Sequence, residues 1–209
     1  MKLTAEQSPA VRGRPRSFDR ERALERAMKV FWRQGYEATS LSDLTAAMGV
    51  NPPSLYGAFG DKEKLFLEAV ERYRAGVGSR DATLAEAPTA RAAIEAALQR
   101  TARGLSGDGV GCMLVTSAVN CSVPRVKKAL ALHRAAVEAG MRKRIERGIR
   151  DGELPADTDA GGLAKFYETV TQGMSSQAMD GATRRSLLAV VATAMRAWPE
   201  KKKVGPDSA

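Results

Sequence analysis

The chain has 209 residues, 44% of them hydrophobic, and a formal net charge of +9, which supplies a buried core and suits a polyanionic partner. No stretch approaches the roughly 20 apolar residues that cross a bilayer, and the opening MKLTAEQSPAVRGRPRSF has no apolar signal region, so a cytoplasmic protein with no membrane partner is expected. Two cysteines do not make a disulfide framework in a chain of this length, and one histidine leaves little general-base chemistry.

Residues 1–15 read as a flexible basic arm, with Arg12, Arg14 and Arg16 in the run RGRPR. Asp19 is a good N-cap for a first helix, in which Leu24, Ala27, Met28 and Phe31 recur on one face until Gly35 stops it. A short helix follows Thr39 and Ser40, runs to about Met48 and ends at Gly49. Asn51-Pro52-Pro53 opens a very short third helix, since proline at a first helical position gives up no intrahelical hydrogen bond. Gly60 ends it, and Asp61 caps a fourth helix with Leu65, Phe66, Ala69, Val70 and Tyr73 on its buried side. Past Gly78 the composition shifts to Ala, Arg and Gly, and helices are predicted at about 88–105, 111–121, 124–151, 158–180 and 183–198, with a disordered tail at 200–209. The fold class is therefore all-α, about nine helices.

The informative stretch is 39–62, TSLSDLTAAMGVNPPSLYGAFGDK. Two short helices meet at a corner where Gly49 permits a left-handed backbone, and Leu44, Met48, Val50, Leu55 and Phe59 lock the pair. A short helix with small polar residues at its start fits a DNA major groove.

From Gly13 to Tyr73 the chain resembles the TetR/AcrR-type family of transcription regulators. The matching residues are Ala27 to Gly35 in AMKVFWRQG, then Tyr36, Thr39, Ser40, Leu44, Gly49, Val50, Ser54, Leu55, Tyr56, Phe59, Lys62 and Leu65. Two residues depart from the family pattern: Thr45, whose hydroxyl can bond back within its own helix, and Pro53 at the front of the recognition helix. The resemblance implies an N-terminal three-helix helix-turn-helix domain at 16–62 and a C-terminal effector-binding and dimerisation domain at 63–199. It implies as partners double-stranded operator DNA, a second copy of the chain and a small-molecule effector of unknown identity, and as function a repressor that the effector releases.

Residue chemistry and this resemblance together assign roles. Thr39 and Ser40 at a helix N-terminus suit a phosphate or serve only as caps. Tyr56 donates to a backbone phosphate or is half-buried core, and Lys62 pairs with another phosphate or is a solvated first-turn lysine. Pro53 and Ser54 face base edges or thymine methyls. Arg12, Arg14 and Arg16 enter an adjacent minor groove or form a soluble tail.

In the C-terminal half, Cys112, Met113, Met141, Phe166, Tyr167, Met174 and Trp198 are candidate effector contacts, against the alternative that methionine and aromatic stripes are plain core. Cys112 is predicted in the first turn of a helix after a glycine-rich break, where a helix N-terminus favours thiolate and an oxidant or electrophile could be sensed. Leu163, Val170, Leu187, Val191 and Met195 are candidate dimer-interface residues on the last two helices. The basic segment 124–151 is read as a solvated face, with an acidic effector or further DNA as the alternative. His133 is read as a surface or core residue. No His/Cys/Asp/Glu cluster has metal-ligand spacing, and no cofactor is expected. No nucleophile-base pair or phosphate loop argues for an enzyme; a nonspecific nucleic-acid or membrane-surface binder is the remaining competitor.

Overall fold

A computed structural model describes residues 18–76, 80–105, 109–119 and 121–200. Ten α-helices make up this part of the chain: α1 (Arg20–Ala38), α2 (Leu41–Met48), α3 (Pro52–Phe59), α4 (Lys62–Gly76), α5 (Arg80–Glu86), α6 (Ala90–Leu105), α7 (Met113–Val119), α8 (Pro124–Arg150), α9 (Ala160–Met179) and α10 (Arg184–Ala194), with a single 3-10 turn at Met195–Ala197. The arm and tail fall outside the described residues, apart from Glu200, and with them Arg12, Arg14 and Arg16.

The local signals act as expected. Asp19 accepts the Arg22 amide at 3.0 Å to open α1. Gly35 takes a φ of 77°, so the regular helix ends there and Tyr36–Ala38 form a separate turn. Asp61 accepts the Lys64 amide at 2.7 Å to start α4. The C-terminal helices are likewise opened by side chains, Asp159 at α9 and Thr183 at α10.

Two apolar cores share the interior. The first joins Leu24, Ala27 and Phe31 of α1 to Leu44 and Met48 of α2, Leu55 and Phe59 of α3, and Leu65, Phe66, Ala69, Val70 and Tyr73 of α4. Phe66 meets Phe31 edge-on at 5.0 Å and Tyr36 at 5.1 Å, which fixes α4 across α1. The second packs Ile94 and Leu98 of α6, Met141 and Ile145 of α8, Tyr167 and Met174 of α9, and Leu187 and Val191 of α10. A division at residue 62 cuts through the first core: α4 belongs to it, and Met113, Leu114, Val126 and Leu130 of α7 and α8 complete it.

Two expectations change. The helix α5 was not anticipated; its sequence RDATLAE carries one large apolar residue, Leu84, and so shows no period. Helix α7 is shorter than 111–121, and Cys112 precedes it instead of lying in its first turn: its carbonyl accepts the amides of Val115 and Thr116, both at 2.9 Å. The basic helix α8 keeps Arg125, Lys127, Lys128, Arg142, Lys143, Arg147 and Arg150 exposed, with Arg125 beside Glu63, Arg142 beside Glu146 and Arg147 beside Asp151, while the half-buried Arg134 donates to the Leu114 carbonyl. Arg144 is buried beside Glu153, 3.5 Å away.

Candidate nucleic-acid interface

The α2–α3 corner is built by reciprocal caps. The Ser40 hydroxyl accepts the Asp43 amide at 3.0 Å, and the Asp43 carboxylate accepts the Ser40 amide at 2.9 Å and its hydroxyl at 2.6 Å. These bonds, the hydroxyl's first, hold the Asp43 carboxyl below its ordinary range. Gly49 takes the left-handed conformation (φ 70°) and closes α2 by donating to the Thr45 carbonyl at 3.0 Å. Asn51 caps α3 by accepting the Ser54 amide at 2.9 Å, and Pro52 and Pro53 fill the first turn. The Thr45 hydroxyl donates back to the Leu41 carbonyl at 3.0 Å, so this departure from the family pattern is absorbed inside α2.

Leu55 and Phe59, four residues apart, fix one side of α3 in the core. The opposite side is open: Pro53 is exposed, Tyr56 is 46% exposed, and Ser54 is half-buried at the edge. Tyr56 is therefore not core. Lys62 is half-buried, its ammonium 4.5 Å from the centroid of the Tyr36 ring, a cation-π contact that places the charge one turn beyond α3. Burial, and next the Glu63 carboxylate, push the Tyr36 hydroxyl above its ordinary pKa.

Thr39 behaves differently from Ser40. It is 1% exposed, and its hydroxyl donates to the Gly35 carbonyl at 2.6 Å. That hydroxyl ties the turn after α1 to the start of α2 and is not presented outward. Of the described candidates, Ser40, Pro53, Ser54, Tyr56 and Lys62 remain on or at the edge of the surface.

The effector candidates scatter. Met113, Met141, Tyr167 and Met174 are buried core, Trp198 is 7% exposed, and Phe166 is 40% exposed on the outside of α9. The structure instead holds a cavity of about 410 Å³ where α1 and α4 meet α6 and α7, and Cys112 alone of the candidates lies on its wall. Trp32, Tyr73 and Thr101 on that wall are not among the effector contacts expected from sequence; each reads locally as ordinary helix surface or core, and only the packing brings them together. Of the dimer candidates, Leu187, Val191 and Met195 fill the chain's own core, while Leu163 and Val170 are half-buried. Phe166, Met179 and Val190 are the large apolar side chains that α9 and α10 leave exposed.

Residues 23–69 match the model of bacterial regulatory proteins of the tetR family, and residues 87–198 match the model of the tetracyclin repressor-like C-terminal domain. The chain belongs to the tetR family. Over 198 residues it is 33% identical to the HTH-type transcriptional repressor ComR of Escherichia coli (strain K12), covering 92% of this chain and 94% of ComR. It is 32% identical over 199 residues to the HTH-type transcriptional repressor BdcR of the same strain, covering 92% and 94%. A solved structure with 47% identity and a TM-score of 0.84 is a cysteine mutant of the TetR family regulator CifR complexed with 26-bp double-strand operator DNA; the match covers 90% of this chain and 100% of that one. This TetR-family chain is thus a helix-turn-helix DNA-binding transcription regulator and not an enzyme. Among the described residues, no helix is long and apolar enough to cross a membrane.

Proposed function

We propose that the chain is a cytoplasmic, homodimeric repressor that binds a double-stranded operator and is released from it by a small molecule. The observation that carries this reading is the open side of α3, with Pro53 and Tyr56 exposed while Leu55 and Phe59 anchor the helix. The names of ComR and BdcR support repression, and the operator complex of CifR supports the DNA partner.

In this reading Ser40, Tyr56 and Lys62 hold phosphates and Pro53 and Ser54 face base edges. Arg12, Arg14 and Arg16 of the arm reach a minor groove. Residues 16–62 bind DNA, and 63–199 hold the effector and the partner subunit, with α4 packed into the DNA-binding core. An oxidant or electrophile is the effector class that the Cys112 thiol would register, and Cys112→Ser would then abolish the response; an unchanged oxidant response in Cys112→Ser removes this class.

Fluorescence anisotropy with the DNA upstream of the chain's own gene, against a scrambled duplex at physiological salt, tests the main reading. Specific recognition predicts a preference of about a thousandfold or more. Lys62→Ala should lower the slope of log affinity against log salt by about 1 while leaving the sequence preference. Equal binding to both duplexes, on this DNA and on sites selected from a random pool, would mean nonspecific attraction to the basic surface.

A further inference from the structure

The cavity between the two cores has the size of a small-molecule site, about 300–1,000 Å³ being usual. Its wall comes from both halves of the chain: Met28 and Trp32 of α1, Tyr73 of α4, Thr101 and Leu105 of α6, and Cys112 before α7. Trp32 and Tyr73 meet edge-on, their centroids 5.0 Å apart, and offer a flat ligand both an edge and a face.

The polar groups around this space already have partners. Arg72 lies 3.2 Å from Glu21 and 3.6 Å from Glu25, and Glu25 also pairs with Lys29 at 3.1 Å. Arg100 donates to the Thr83 hydroxyl at 2.9 Å, and the Thr101 hydroxyl donates to the Ala97 carbonyl at 3.0 Å. An ionic ligand would compete with these partners and lose its own strong hydration. A neutral one competes with no ion pair and loses less.

One of these bonds joins the halves. Trp32 Nε1 of α1 donates to the Gly111 carbonyl at 2.8 Å. Gly111 is held where it is: its φ is +66°, and a Cβ there would stand 2.8 Å from Thr116 Cγ2 and 2.9 Å from the Ser175 carbonyl. The next amide, of Cys112, donates at 2.7 Å to the hydroxyl of Ser175, which is fully buried on α9. The turn is thus fixed to α9, and the indole ties α1 to the turn beside the cavity.

We propose that this cavity is the effector site, that it takes a neutral molecule with a flat, mainly apolar body, and that the ligand acts by displacing the Trp32–Gly111 hydrogen bond. This rests on the reading of the chain as an effector-released regulator. A ligand seated against Trp32 and Tyr73 favours the state in which the indole has left Gly111, and that state removes one polar tie between α1 and the turn fixed to α9, shifting how α1 sits on the C-terminal half. The coupling needs no more than this difference in affinity between the two states.

The test uses the full chain and the neutral fluorescent probe N-phenyl-1-naphthylamine, titrated without DNA. Gly104 of α6 lies on the wall, and a Cβ there meets nothing within 4 Å, so Gly104→Phe fills the space without a backbone clash. The expected result is saturable probe binding that weakens about tenfold or more in Gly104→Phe, whose helical circular dichroism and urea midpoint match wild type and so confirm its fold. The anionic relative 8-anilinonaphthalene-1-sulfonate should bind about tenfold more weakly than the neutral probe. Saturating probe should lower operator affinity about fivefold or more, and Trp32→Phe should keep probe binding while losing most of that effect. Undiminished binding in Gly104→Phe overturns the location, equal binding of the sulfonate overturns the ligand class, and an unchanged operator affinity under saturating probe overturns the coupling. Failure of the wild-type chain to bind any operator defeats the repressor reading, whereas the probe titrations decide the cavity without DNA.

Discussion

Thr39 and Ser40 are adjacent hydroxyl residues with separate duties. The Thr39 hydroxyl is enclosed and donates to the Gly35 carbonyl, while Ser40 sits in an exposed capping box with Asp43. Thr39→Val should therefore cost about 1 kcal/mol of stability, read as a lower urea midpoint, with operator affinity of the folded protein unchanged. Tyr56→Phe should do the opposite: its hydroxyl stands on an exposed ring, so urea midpoints match wild type and operator affinity falls several-fold by anisotropy. Equal operator affinity in Tyr56→Phe would remove the phosphate contact assigned to that hydroxyl. Position in the sequence placed both threonine and serine at a helix start; which hydroxyl points inward follows from the turn that Gly35 introduces.

Helix boundaries were the most legible part of the chain, because caps act through neighbours three or four residues away. Asp19, Ser40, Asn51 and Asp61 cap as their positions suggested, and Gly49 and Gly60 end their helices with positive φ. Faces were legible where a stripe is one-sided: all five residues assigned to the buried side of α4 are buried. The stripes of α9 and α10 gave less, since Tyr167, Met174, Leu187 and Val191 serve their own core and a periodic pattern carries no label for ligand or partner. Between α4 and α8, His133 shows the same limit. Its Nε2 lies 3.1 Å from Glu71, yet burial first, and the Arg74 charge second, outweigh that carboxylate and lower the imidazole from 6.5. The neutral ring is therefore favoured in the folded state, and the unfolded chain takes up its proton first as pH falls. Stability should be full above pH 6.5 and decline as pH drops from there toward the folded pKa. Urea midpoints measured between about pH 7.5 and 5.5 should show this slope in wild type and a shallower one in His133→Gln; an identical slope in both would place the titration elsewhere.

At the scale of the whole molecule, Phe166 and Met179 on α9 and Val190 on α10 are apolar surface that this chain does not cover by itself. If the dimer seam runs there, Phe166→Asp combined with Val190→Asp should give a monomer by sedimentation at micromolar concentration and weaken operator binding, with helicity unchanged. A double variant that sediments as wild type would move the seam off these helices. The cavity, in contrast, exists only after α1 and α4 have docked on α6 and α7, which is why no single segment announced it. Its indole hinge also has a spectroscopic consequence. The chain has two tryptophans; Trp32 bonds across the junction, and Trp198 packs 6.0 Å from Tyr167 in the C-terminal core. A nitrogen-proton correlation spectrum should therefore carry two indole signals. One would act as a built-in sentinel of the junction and the other as its internal standard, with no label to attach.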